Sequence, residues 1–124
     1  MCEKISDEEL TKKLLKSIER EYGEIPFVNQ VLSERPDLFV PFVKINTSVF
    51  YGKSKLDKKT GRLAAVSAAA ALGAEHCLAV HMQMAAKYGA TKDEILEAMQ
   101  IGSLISMTRS QATSLRKFKE MFPE

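Results

Sequence analysis

The run from Leu63 to Leu72 reads Leu-Ala-Ala-Val-Ser-Ala-Ala-Ala-Ala-Leu, with Gly73 directly behind it. Alanine is the residue that costs least in a helix, and glycine is the usual residue just past a helix end. The segment is therefore a helix with a built-in stop. Its side chains are so small that a neighbouring helix can approach it closely. A chain organised around such an element is expected to pack helix on helix. No other stretch shows the two-residue alternation of a half-buried strand, which makes the fold class all-α.

The remaining periodic stretches agree with this. Ser6-x-x-Glu9 forms a capping box ahead of Leu10, Leu14, Ile18 and Tyr22, and Gly23 ends that amphipathic helix. A short apolar piece, Phe27 to Leu32, precedes the break at Arg35-Pro36. Leu38, Phe42, Ile45 and Val49 make another helical stripe, with Pro41 tolerated near that helix's beginning. From Tyr51 to Arg62 the chain is basic and turn-like, with Lys53, Lys55, Lys58, Lys59 and Arg62 against a single acid, Asp57. Glu75 to Tyr88 is the next helix, closed by Gly89. Thr91-x-x-Glu94 is a second capping box, opening a helix marked by Ile95, Ala98, Met99, Gly102 and Ile105. A last helix, from about Ser110 to Phe122, is expected to turn Leu115, Phe118 and Phe122 inward and Arg116, Lys117 and Lys119 outward. The total is about six helices, with no repeat and no linker.

At 124 residues the chain is read as a single domain, 1–124, long enough for a real core. With 45% hydrophobic and 27% charged residues it is globular rather than disordered. A net charge of +2 exerts no general pull on nucleic acid or membrane. There is no glycine-rich phosphate loop, and no basic surface interleaved with aromatics. The longest apolar run, Leu63 to Ala74, is interrupted by Ser67 and falls short of the ~20 residues of a membrane span. The opening Met-Cys-Glu-Lys-Ile-Ser-Asp-Glu-Glu is too polar for a secretion signal. The expectation is a soluble, cytoplasmic protein without nucleic-acid or membrane partners. Its two cysteines, Cys2 and Cys77, do not suggest a disulfide framework.

The stretch Glu75-His76-Cys77-Leu78-Ala79-Val80-His81 carries the best candidate chemistry. Cys77 and His81 stand one helical turn apart, on one face with Met84, Ala85 and Tyr88, and are expected to face inward together, whereas His76, Gln83 and Lys87 fall on the polar side, with His76 toward solvent. A thiol near a helix start lies where the dipole and free N–H groups favour a thiolate, and a nearby imidazole can exchange its proton. The plain alternative is that Cys77 is a small core side chain and His81 a core histidine bonded to a carbonyl. A metal site is not expected: His76 and His81 lie on different faces, and no second cluster completes a tetrahedron. No cofactor is implied. The lysines at 53–59 read as a solvated loop, the other reading being attraction of an anionic substrate. Cys2 reads as a mobile terminal thiol, the other reading being a resolving partner for Cys77.

From Leu56-Asp57-Lys58-Lys59-Thr60 onward the chain resembles the carboxymuconolactone decarboxylase family, which includes the alkylhydroperoxidase-D-like proteins. The pieces follow in order: that pentapeptide before an alanine-rich helix, then Glu75-His76-Cys77-x-x-x-His81. Tyr88-Gly89-Ala90-Thr91-x-x-Glu94-Ile95-Leu96-Glu97-Ala98 comes next, and the apolar segment Met99 to Ser106 completes the pattern. Together they span roughly residues 56 to 107, with a compatible helical lead-in from about residue 36. The resemblance implies an all-helical subunit assembling as a homo-oligomer, commonly a trimer or hexamer. In the peroxidase branch a CxxC pair with a following histidine reduces hydroperoxides, and an upstream glutamate joins the proton relay. The second cysteine of that pair matches Cys77, and the histidine matches His81. Ala74 takes the first cysteine's place, and Arg62 stands near the place expected for the glutamate.

The resemblance thus implies a peroxiredoxin-type oxidoreductase with Cys77 as redox thiol and His81 as proton relay. Arg62, Glu75 and His76 are supporting candidates. An external thiol, a redox partner protein or Cys2 would restore the sulfur. The decarboxylase branch matches at His81 and at Gly89 to Glu97 and uses no cysteine. It implies a decarboxylase or isomerase of a small organic acid or lactone. A non-catalytic, ligand-binding oligomer is the third reading.

Overall fold

The computed structural model describes residues 4–124, in which six helices and no strand make up the regular structure: α1 (Asp7–Tyr22), α2 (Phe27–Leu32), α3 (Pro36–Tyr51), α4 (Lys58–Leu72), α5 (Glu75–Lys87) and α6 (Lys92–Met121). The chain divides into two compact units, Met1–Lys55 and Leu56–Glu124. Among the described residues no helix is long and apolar enough to cross a membrane. Cys2 lies outside the described residues.

In the first unit, α1 starts where the Ser6 hydroxyl accepts the Glu9 N–H, and ends at Gly23, whose φ of 79° lets its N–H close onto the Glu19 carbonyl. Tyr51 at the end of α3 donates to the Glu21 carboxylate of α1 at 3.1 Å. Helix α3 opens on Pro36 and runs through Pro41, which removes the N–H that would have met the Asp37 carbonyl in the first turn. Its buried face is Phe39, Val40 and Val43. The expected stripe of Leu38, Phe42, Ile45 and Val49 is instead exposed. Apolar residues surround most of this helix, so periodicity identifies the helix without choosing which arc turns inward.

The second unit corrects two boundaries. Helix α4 begins at Lys58, inside the stretch read as turn-like, because the Asp57 carboxylate accepts the Thr60 N–H at 2.7 Å and caps it there. Arg62 is thereby carried off a loop and onto a helix, four and seven residues before Val66 and Ala69. These three residues form the buried face of α4. The second correction joins two expected helices, one through Ile105 and one from about Ser110, into the single 30-residue α6. No proline interrupts that stretch, and the residues between Ile105 and Ser110 are all compatible with helix.

Helix α6 opens on the capping box, with the Thr91 hydroxyl accepting the Glu94 N–H at 3.1 Å and the Glu94 carboxylate accepting the Thr91 N–H at 3.0 Å. The same carboxylate meets Lys59 at 2.9 Å, joining the first turns of α4 and α6. The Lys59 hydrogen bond, reinforced by the Thr91 backbone, holds the Glu94 carboxyl down at about 2.

The core of this unit is Val66, Ala85 and Ala98, one residue from each helix, with Leu63, Leu78, Met82, Ala90, Ile95 and Met99 packed round it. Small residues set its spacing. Gly102 of α6 is buried against the backbone of α4 so closely that a Cβ there would collide with the Ser67 carbonyl oxygen and stand 3.2 Å from the Ala71 nitrogen. Beyond Gly102 every residue of α6 is exposed, as is Phe122 at its C-cap, so Leu115, Phe118 and Phe122 do not turn inward as the sequence reading expects. Their helical spacing is as read, but among the described residues these side chains are exposed.

Gly102→Ala is predicted to destabilise the protein by about 2–3 kcal/mol, although alanine favours helix over glycine by about 1 kcal/mol. The obstacle is backbone, which has no rotamer to move away. Chemical denaturation of wild type and variant measures this, and an unchanged or raised midpoint would contradict the packing described.

Candidate functional site

Helix α5 has no side-chain cap, since Ala74 occupies its N-cap, and its orientation is set by packing instead. Met84 and Ala85 are buried, and Leu78 and Met82 rest on the core. That rotation leaves His76, Gln83 and Lys87 exposed and His81 half-buried. Cys77, expected to face inward with His81, is instead a free, exposed thiol in the first turn, because α5 packs through Leu78, Met82, Met84 and Ala85. Glu75 and His76 are exposed beside it. At the other end of α5 the Lys58 ammonium lies 5.4 Å from the centre of the Tyr88 ring, a contact between the first turn of α4 and the end of α5.

The contact that organises the site joins α4 to α5. Arg62, 1% exposed, directs its Nη1 to His81 Nδ1 at 3.1 Å. A guanidinium in a helix–helix interface is tolerated only where acceptors meet it, and the imidazole is one of them. Burial first, and the adjacent guanidinium charge second, together push the His81 ring down to about 4. Around neutral pH the ring is therefore uncharged.

Of the five residues singled out from the sequence, the structure pairs Arg62 with His81 and sets Cys77 one turn before that histidine, at the surface. Glu75 and His76 are exposed, and neither takes part in the described Arg62–His81 contact. Among the described residues, no group of three or more His, Cys, Asp or Glu side chains is placed to hold a metal ion. The Arg62–His81 hydrogen bond is the feature that sequence reasoning missed. Its signal was present, because Arg62, Val66 and Ala69 follow the spacing of one helix face. Counting Arg62 among the basic turn residues concealed it.

The imidazole is predicted to titrate near pH 4 rather than at the ordinary 6.5 when followed by NMR. Replacing Arg62 by Met should move that midpoint upward, since the cation opposing protonation is gone. Between pH 6.5 and 4 the unfolded chain binds a proton that the folded chain refuses, so stability falls as pH falls through this window. Relative to His81→Gln, wild type should lose about 2 kcal/mol there, less than the full shift because solvent still reaches the ring. Equal pH dependence in the two proteins would contradict the assignment.

Comparison with known proteins agrees with the resemblance read from the motifs. An uncharacterized protein of Methanocaldococcus jannaschii is 38% identical over 79 residues, which is 62% of this chain and 75% of that protein. No solved structure matches the chain. The family model for carboxymuconolactone decarboxylases covers residues 36–119, a span that holds Arg62, Cys77 and His81 on helices α4 and α5. On that match the chain belongs to the carboxymuconolactone decarboxylase family.

Proposed function

We propose that this protein is a thiol-dependent hydroperoxide reductase of the alkylhydroperoxidase-D-like kind, with Cys77 as the sulfur that accepts oxygen. The observation that carries this reading is the position of the thiol. It is exposed in the first turn of α5, one turn before a neutral imidazole that a buried guanidinium holds from behind. The Cys77 thiolate attacks the outer peroxide oxygen, the O–O bond breaks, and the alkoxide leaves with a proton drawn from water. Cys77 is then a sulfenic acid. A thiol displaces water from it to give a mixed disulfide, and a second thiol releases the Cys77 thiolate together with the oxidised reductant. Two thiols thus supply the two electrons that the peroxide takes up. With Ala74 at the N-cap of α5, the disulfide of a CxxC pair has no counterpart here, so the reductant comes from outside this motif.

A second reading, a decarboxylase or isomerase of a small organic acid or lactone, draws on the same Arg62–His81 pair. A neutral imidazole with a cation behind it favours a substrate on which negative charge develops. We also propose that the protein works as a homo-oligomer, a trimer or hexamer. In support, Ile101, Leu104, Ile105, Leu115, Phe118 and Phe122 are all at least half exposed along α6 in the single chain, an unusual density for a monomer surface.

Peroxide consumption with a small dithiol as reductant tests the first reading. Cys77→Ser should reduce it by more than about 100-fold and His81→Ala by about 100-fold. Equal rates in wild type and Cys77→Ser would eliminate the thiol mechanism. Turnover of an organic acid or lactone that survives Cys77→Ala but not His81→Ala would establish the second. Sedimentation should show a multiple of the 13.8 kDa chain, lowered by Leu115→Glu with Phe118→Glu. A wild-type monomer would refute the assembly.

A further inference from the structure

We infer that Arg62 is a positioning residue that fixes the tautomer of His81, placing its hydrogen on Nε2 and making the ring a hydrogen-bond donor toward whatever it meets there. The inference rests on the composition of one contact. A guanidinium has five N–H donors and no acceptor. Its Nη1 lies 3.1 Å from His81 Nδ1, so Nδ1 must supply the lone pair and the ring's single hydrogen must be on the other nitrogen. Neither partner is free to rearrange. Arg62 is buried on the same face of α4 as Val66 and Ala69, and His81 is held by an α5 whose Met84 and Ala85 are buried.

This does not depend on the peroxide reading, but it limits any mechanism at the site. A general base acting through Nε2 would need its lone pair there, and in this tautomer that nitrogen already holds a proton. Nδ1 is engaged by the guanidinium. His81 therefore cannot take the Cys77 thiol proton or abstract a substrate proton through Nε2. It can donate a hydrogen bond to negative charge, whether a thiolate, a departing alkoxide, or a carboxylate or enolate oxygen. The ligand groups that suit this site are anionic oxygen or sulfur acceptors, and the proton bookkeeping falls to water or to another side chain.

The experiment reads the ring directly. Nitrogen-15 NMR at neutral pH distinguishes a protonated from an unprotonated nitrogen at each ring position, with His76→Gln as background so that one histidine remains. Wild type should show one tautomer, hydrogen on Nε2. Arg62→Lys, whose ammonium also only donates, should preserve it. Arg62→Gln, whose amide can accept as well as donate, should give a mixture of tautomers. A wild-type ring protonated on Nδ1, or a mixture there, overturns the proposal even if no Arg62 variant folds. A folded Arg62→Gln protein that keeps the pure Nε2–H form overturns it too. Because the spectrum is recorded without peroxide or reductant, its outcome is independent of whether the protein turns over hydroperoxides.

Discussion

Close backbone approach between α4 and α6 is the constraint on which the second unit depends. It requires glycine at 102 and a neighbouring helix with almost nothing on its surface, which the alanine run of α4 provides. With that spacing set, one residue from each of three helices, Val66, Ala85 and Ala98, suffices to form a core. Dispersion contacts weaken quickly with distance, so a gap of even one side chain between α4 and α6 would remove much of the attraction among such small groups. The Lys59–Glu94 pair and the capping box then align the first turns of both helices.

The same close packing makes Arg62 unusual. A helix face made of valine and alanine offers nothing to a cation, yet the guanidinium is almost completely buried on it. Removing such a group from water costs several kcal/mol unless acceptors compensate. The imidazole of α5 is one acceptor, and the result is reciprocal: the arginine gains a partner, while the histidine is kept neutral. Stability and chemistry are coupled at this point.

Helix α6 has two halves with different surroundings. Its first three turns bury Ala98 and Gly102 against α4, and from there to Met121 it is exposed, carrying leucine, isoleucine, methionine and phenylalanine. A helix of this length cannot be held by capping alone. Association of several chains through that half would stabilise both the helix and the site that its first half supports.

Local signals in the chain were sufficient for two of the helix starts that a side chain caps: Ser6 and Thr91 each accept the N–H expected of them, whereas Asp57, which caps α4, lay in a stretch read as turn. Gly23 and Gly73 stop their helices in the left-handed conformation, which glycine adopts without strain. The all-helical class, the spacing that puts Cys77 and His81 on one face, and the motifs of the family were legible for the same reason, since each depends on residues a few positions apart. Which arc of α3 is buried, how far α6 continues, and what stands behind His81 were not. Those outcomes depend on contacts between residues distant in sequence, and an apolar residue carries no mark of the partner it will meet. Arg62 and His81 are nineteen positions apart, on different helices. Only the packing of α4 against α5 brings a donor-only side chain onto one particular ring nitrogen, and so determines the state of the imidazole.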